Sequence, residues 1–365
     1  MIGVVLALIS IVMMFQVQEN FDKQRRSIVS GGDSQVSGAI AAFHLERDLR
    51  SSGSGFGNSA YLGCVVSAHD EIGSRDFTFT YVPVLITDGA AGAPDTVSVL
   101  AGNSGSPTAT FDVAATTPTQ TAMKDTRNGL ALGDLVVVAT PTPACWLAEV
   151  TNLQPVVPDN GRTIGQGAAT YTRVSTPPQN RLTGAAGVCA GAGPWTCTPR
   201  FNPAAGSATY NSAPPVYGEL RSLGDDPRLN VWSVDTVRGI LQRTETLHES
   251  GAATSVADGV IDMQAQYGLD TNADDVVDTW QATTPTWAQV RIVRFALLAR
   301  GQDYDKVALT TVAPTWAGGS FTMRNVDGTA DVGAGSLGVN NWRNYRYSVF
   351  EVTVPLRNMI WTRFW

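Results

Sequence analysis

The rhythm of hydrophobic positions changes twice along this chain. Met1 to Val17, MIGVVLALISIVMMFQV, is apolar on every side, with only Ser10 and Gln16 clearly polar. Such a run predicts a helix that is surrounded by apolar material. At ~1.5 Å per residue it spans about 25 Å, a few residues short of the ~20 that cross a bilayer. The pattern predicts that the helix continues through Gln18, Glu19, Phe21, Asp22 and Lys23, is interrupted near Gly31 and Gly32, and restarts at Asp33 as an N-cap. Beyond it Val36, Ile40 and Phe43, with Leu45 and Leu49 alongside, form the apolar face of an amphipathic stretch that ends by Gly53.

From about Ser51 the pattern shortens to β-prone runs bounded by turn residues. FTFTYVPVLI (Phe77 to Ile86), TVSVL (Thr96 to Leu100), DLVVVAT (Asp134 to Thr140) and CWLAEV (Cys145 to Val150) come first. VYGELRSL, LNVWSVDTV, GILQRTETL, VRIVRFALLA and YSVFEVTVPL follow, between Val216 and Leu356. Short, β-branched and turn-bounded, they predict antiparallel sheet. Ser255 to Tyr267 has Val256, Val260, Met263 and Tyr267 at helical spacing and is expected to form a short helix. The fold expected is α+β: a long N-terminal helix, apolar then amphipathic, packed on an antiparallel sheet late in the chain with long loops. The helix would occupy residues 1–50 and a β-rich extracytoplasmic domain residues 51–365, with a Gly/Pro-rich insertion at 153–215.

Composition supports the β-rich reading. Charged residues are 16% of the chain against 36 Gly and 19 Pro, which suits many short strands and long polar loops. A net charge of −7 argues against a nucleic-acid surface, and the one dense basic run, Lys23, Arg25 and Arg26, lies where a juxtamembrane segment would. The four cysteines, Cys64, Cys145, Cys189 and Cys197, lack CxxC spacing and read as disulfides. The short loop CAGAGPWTC would be stapled by Cys189 and Cys197, leaving Cys64 with Cys145, although sequence alone permits three pairings.

Candidate chemistry is sparse. Asp270, Asn272, Asp274 and Asp278, with the backbone carbonyl of Val276, match positions 1, 3, 5, 9 and 7 of a calcium loop. Asp275 stands where that loop has its glycine and Gln281 near its bidentate Glu, so a further carboxylate such as Asp262 or Glu249 would be needed. The bland reading is a solvated acidic hairpin. Gly333 to Gly338 matches GxGxxG without the strand-to-helix context and reads as a loop. His44, His69 and His248 are isolated, and the alternating charges of Glu46, Arg47, Asp48 and Arg50 mark a solvated or interface-forming helix face. No residue pattern argues for an enzyme.

Three stretches together resemble the PilW-like minor pilins of type IV pili, relatives of the GspJ-like pseudopilins of type II secretion. They are MIGVVLALISIVMMFQV with AAFHLERDLRSSGSGFG, then DGVIDMQAQYGLDTNADDVVDTW, then VRIVRFALLAR with YRYSVFEVTVPLRNMIW. The resemblance implies a minor pilin that primes pilus assembly at or near the tip and supports twitching motility and adhesion. It would be held in the inner membrane by a single pass, with its domain first periplasmic and then on the extracellular pilus. Leu6, Ile9, Val12, Met13, Val36, Ile40 and Phe43 would pack against other minor pilins and the major pilin, with a large tip adhesin as a further partner. Prepilins carry a basic leader, a Gly at the cleavage point and a glutamate in the apolar stretch, and none of these is in the sequence. The expectation is therefore that residues precede Met1; a subunit that lacks the glutamate is the alternative. Rival functions are a GspJ-like pseudopilin and a membrane-anchored binding module displaying Trp195, Trp287 or Trp316.

Overall fold

The computed structural model describes residues 2–53, 56, 59–72, 74–104, 110–124, 129–141, 144–155, 162–174, 189–190, 193–203, 210–211, 218–248, 251–331, 333 and 338–356. A helix runs from Ile2 to Ser51 without interruption, 50 residues or about 75 Å at ~1.5 Å per residue. The expected break at Gly31 and Gly32 is not there. Each glycine weakens a helix by about 1 kcal/mol but removes no hydrogen-bond donor, and both sit in open space.

The strands begin at Val65, and 24 of them, grouped in five sheets, lie among the described residues. This corrects the α+β expectation: the fold is mostly β, and the sheet is not confined to the end of the chain. A ten-stranded sheet is built from segments between Val65 and Gly224, with Leu135–Thr140 near its centre between Ala144–Glu149 and Gly218–Gly224. One of its contacts is parallel, Val65–Asp70 against Ala144–Glu149. A five-stranded sheet places Arg228–Asp235 between Ile240–Glu245 and Thr96–Ala101. A four-stranded sheet orders Thr279–Gln281, Val260–Leu269, Val290–Arg300 and Tyr347–Pro355 side by side.

Ser255–Tyr267 is a second correction. It forms the ends of two strands, Ala253–Asp258 and Val260–Leu269, joined at Gly259 with φ +80°. Residues 256, 260, 263 and 267 fit one face of a helix, but their β-branched and aromatic side chains also fit a half-buried pleated surface, and the neighbouring strands decide. The insertion at 153–215 contributes Arg162–Gly165, Tyr171–Arg173, Cys189–Ala190, Trp195–Cys197 and Tyr210–Asn211; much of the rest lies outside the described residues.

The principal core lies where the last third of the helix meets the four- and five-stranded sheets. Ala41, Leu45 and Leu49 pack with Val97, Trp232, Val293, Phe295, Leu297 and Val354. Among the described residues no helix is long and apolar enough to cross a membrane. That overturns the expected single-pass inner-membrane anchor. The apolar run gives way to Gln16, Gln18 and Glu19 before it reaches the required length.

Candidate functional site

The helix carries two apolar stripes. At ~100° per residue, Ser34, Gly38, Ala41, Ala42, Leu45 and Leu49 fall on one side, and all are buried. Val36, Ile40 and Phe43 fall on the opposite side and are 61%, 44% and 61% exposed, while Leu45 and Leu49 are at 0%. The single amphipathic face expected from sequence is thus divided: two of its leucines close the chain's own core, and the other three residues face outward. Further up, Leu8, Ile11, Val12, Met13, Met14, Phe15, Val17 and Phe21 are exposed around the helix. The side chains of Leu6 and Ile9 lie outside the described residues. A helix apolar on all sides is normally buried, and contiguous exposed apolar surface marks an interaction site.

Small and polar contacts set the angle of the helix on the sheet. Gly38 lies flat on the Phe350 ring, where a Cβ would sit 2.0 Å from the ring's edge. Asp48 accepts hydrogen bonds from Asn230 Nδ2 at 2.8 Å and from Trp232 Nε1 at 3.0 Å. Of the charges expected on one face, Glu46 and Arg50 pair on the surface, whereas Asp48 turns inward as a specific anchor. Sequence reading missed both Gly38 and Asp48. A glycine inside an otherwise strong helix was the available signal for a close approach.

The acidic loop forms where the Val260–Leu269 strand ends. Arg291 donates to Asp270 Oδ2 at 2.9 Å, and the Asp274 and Asp275 N–H groups donate to the same carboxylate at 3.1 and 3.2 Å. Burial pushes the Asp270 pKa upward, but Arg291 and the loop N–H groups outweigh it and hold the carboxyl below its ordinary range. Asp278 is likewise lowered, first by the Thr271 hydroxyl and then by loop N–H groups. Asp274 Oδ1 accepts from Val276 N–H at 2.9 Å, and Ala273 and Asp275 adopt φ of +64° and +65°. Val276 is exposed at the loop's tip.

This is a loop closed by its own amides and one guanidinium. A calcium ion needs six to eight oxygens turned toward one point, and an arginine on the first of them does not fit that requirement. Among the described residues no three Asp, Glu, His or Cys side chains converge as a metal site does. Asp262 hydrogen-bonds Gln264 at 2.9 Å and stands roughly 25 Å back along the strand from Asp270. Glu249 lies outside the described residues.

Cys64 bonds Cys145 and Cys189 bonds Cys197. The first ties the start of the β region to the centre of the large sheet. At the far end of the two strands so joined, Val65–Asp70 and Ala144–Glu149, lies a polar cluster with no sequence signature. Arg200, 2% exposed, grips both oxygens of Asp70 at 2.8 and 2.9 Å and donates to the carbonyl of His248. The backbone N–H of Arg200 and the hydroxyl of Tyr171 donate to Glu149 at 2.8 and 2.6 Å, and Asn202 bonds that residue's backbone N–H and carbonyl. These bonds pin the end of the insertion onto the large sheet.

The tryptophans considered as a platform are not brought together. Trp287 packs edge-on against Tyr267, and Trp195 lies on the small three-stranded sheet. Trp316 and Trp280 instead flank Arg294, their ring centres 5.4 and 4.1 Å from its guanidinium. Among the histidines, His44 meets Phe43 edge-on, and His248 lies 3.5 Å from Glu245. His69 sits between Asp76 and Glu71 at 2.6 and 3.1 Å. Gly333 and Gly338 lie in loop structure, with residues 334–337 outside the described residues.

None of the curated proteins and none of the solved structures compared with the chain matches it. Residues 231–358 match one family, Type IV Pilus-assembly protein W, or PilW. This segment holds most of the five-stranded sheet's later strands and all of the four-stranded sheet on which the helix docks. The match supports a PilW-like pilus-assembly protein, and a relation to GspJ is not shown.

Proposed function

We propose that the chain is a structural minor pilin that primes type IV pilus assembly at or near the tip, with no covalent chemistry of its own. The observation that carries this reading is the second apolar stripe. Val36, Ile40 and Phe43, together with the exposed apolar residues from Leu8 to Phe21, form apolar helix surface that the chain's own core does not cover. Burying that surface against the helices of other minor pilins and of the major pilin gives assembly its driving force, at about 25 cal/mol for each Å² removed from water. The β region is then displayed outward, available to a large tip adhesin, and the role extends to twitching and adhesion.

The test is a strain carrying V36S, I40S and F43S in place of the natural residues. These side chains are exposed, so the isolated variant should melt within a few degrees of the natural protein. Surface piliation and twitching should fall strongly. Normal piliation and motility in the variant and in a deletion strain would overturn the proposal; loss of secretion with normal pili would assign the chain to a secretion pseudopilus instead.

A further inference from the structure

The four-stranded sheet ends on Tyr347–Pro355, a nine-residue strand with one hydrogen-bonded neighbour, Val290–Arg300. The pairing register fixes which backbone groups face that neighbour. Leu356 N–H donates to the Arg291 carbonyl, and Gly301 N–H, at the other end of the ladder, donates to the Arg346 carbonyl. Both lie in the same register as Phe350 opposite Leu297, so the even-numbered residues bond inward and the odd-numbered ones turn their N–H and C=O groups outward. The outward set includes Val349, Glu351 and Thr353, and among the described residues no strand pairs with them.

This edge is unusual within the molecule. The other outer strands of the three large sheets have six residues or fewer: Arg75–Thr80, Asn152–Pro155, Ala253–Asp258, Val84–Thr87 and Thr279–Gln281. Proteins keep exposed edges short or break them with proline, lysine or bulges, because an open edge templates another strand. The strand has no lysine, its pairing has no bulge, and it is rich in β-formers; its one proline, Pro355, is the last residue, so the outward N–H groups end at Thr353. Its sole charge is Glu351, which is exposed and whose carboxylate accepts one hydrogen bond, from the Ala317 N–H at 3.1 Å.

We propose that this edge is a strand-accepting interface, completed by an extended segment of another polypeptide that places a lysine or arginine opposite Glu351. The carboxylate selects the partner. In the fully overlapped antiparallel pairing of two copies, Glu351 would face Glu351, and like charges directly opposite each other are destabilising. A basic residue at that place forms a favourable cross-strand pair, and main-chain hydrogen bonds supply the remaining affinity. The proposal stands independently of the pilus reading, since it rests on the sheet's register alone.

The probe is a synthetic peptide of alternating valine and threonine, matched to the nine residues of the strand, with lysine or glutamate at its centre. Binding to the full chain is followed by fluorescence anisotropy, and amide hydrogen exchange is read at Val349, Glu351 and Thr353. The lysine peptide should bind about fivefold more tightly than the glutamate peptide and slow exchange at those three amides. E351K should reverse the preference. T353P removes an outward N–H while sparing the inward ladder, so it should keep the fold and abolish binding of both peptides. Absence of binding, equal binding of the two peptides, an unaffected T353P variant, or dimerisation of the chain through this edge would overturn the proposal.

Discussion

The large sheet, built from segments between residues 65 and 224, and the two sheets on which the helix docks are held together by different means. The large sheet has a disulfide between residues 81 apart and a buried arginine-carboxylate cluster beneath it. The docked region has no disulfide among its described residues; it holds one buried ion pair, Arg291 with Asp270, and rests on long strands of nine to eleven residues closed by Ala41, Leu45 and Leu49. Both disulfides lie outside the PilW match, whereas the apolar core closed by the helix lies mostly inside it. The contrast is that the helix closes the docked region's core, whereas the apolar clusters of the large sheet contain no residue of the helix.

That difference can be broken from either side. Replacing Arg200 with methionine takes the two shorter bonds from buried Asp70 and leaves it only the half-buried Arg75 at 3.3 Å, and loss of one partner from a buried pair costs about 3–5 kcal/mol. Calorimetry should show the large sheet melting first, with the docked region's transition little changed. Leu45→Ala removes a fully buried side chain at the helix-to-sheet junction and should cost about 3 kcal/mol. Its transition should be the docked region's, and hydrogen exchange should quicken in Val290–Arg300 before it does in Leu135–Thr140. If both variants lower one shared transition equally, the two regions form a single cooperative unit.

Titration sharpens the contrast with a smaller, graded effect. Burial pushes Asp95 and Asp262 in the docked region, and Asp134 in the large sheet, up to about 6. A carboxyl whose folded pKa lies above its unfolded value contributes stability that is complete below the unfolded pKa, near 4, and is lost as pH rises through about 6. Stability should therefore increase as pH falls from 7.5 to 5.5. Two of the three groups lie in the docked region, so its transition should move further. D95N with D262N should flatten the profile of that region and leave the other unchanged, and an unaltered slope would sink this assignment.

Much of this architecture was legible in the pattern of residues. Leu135 to Thr140 is a continuous β-branched or apolar run, Val290 to Arg300 is an apolar run interrupted by Arg291 and Arg294, and both are strands. The Cys189 to Cys197 loop is short enough to suggest its own bridge. Periodicity could not say which apolar residues of the helix serve the chain itself, because Leu45 and Phe43 differ only in what lies beside them. Nor could it find the strands at Val256, Val260, Met263 and Tyr267, whose spacing suits a helix and fits a strand only because the register shifts between Val260 and Asp262. The link between Asp70 and Arg200 spans 130 residues and involves ordinary charged side chains, so nothing local announces it.

The side-on attachment of the helix also determines how it resists being pulled. Ser34 to Leu49 lie along the sheet for several turns, with Gly38 against Phe350 near one end and Asp48 against Trp232 near the other. Tension along the helix axis therefore loads these contacts together, in shear, and no single contact must yield first. A sideways tug on the projecting end would instead peel them apart one after another, starting at Ser34 and Ser348. The joint is strong along the rod and weak across it, a directional grip that comes from one stripe of small and apolar residues.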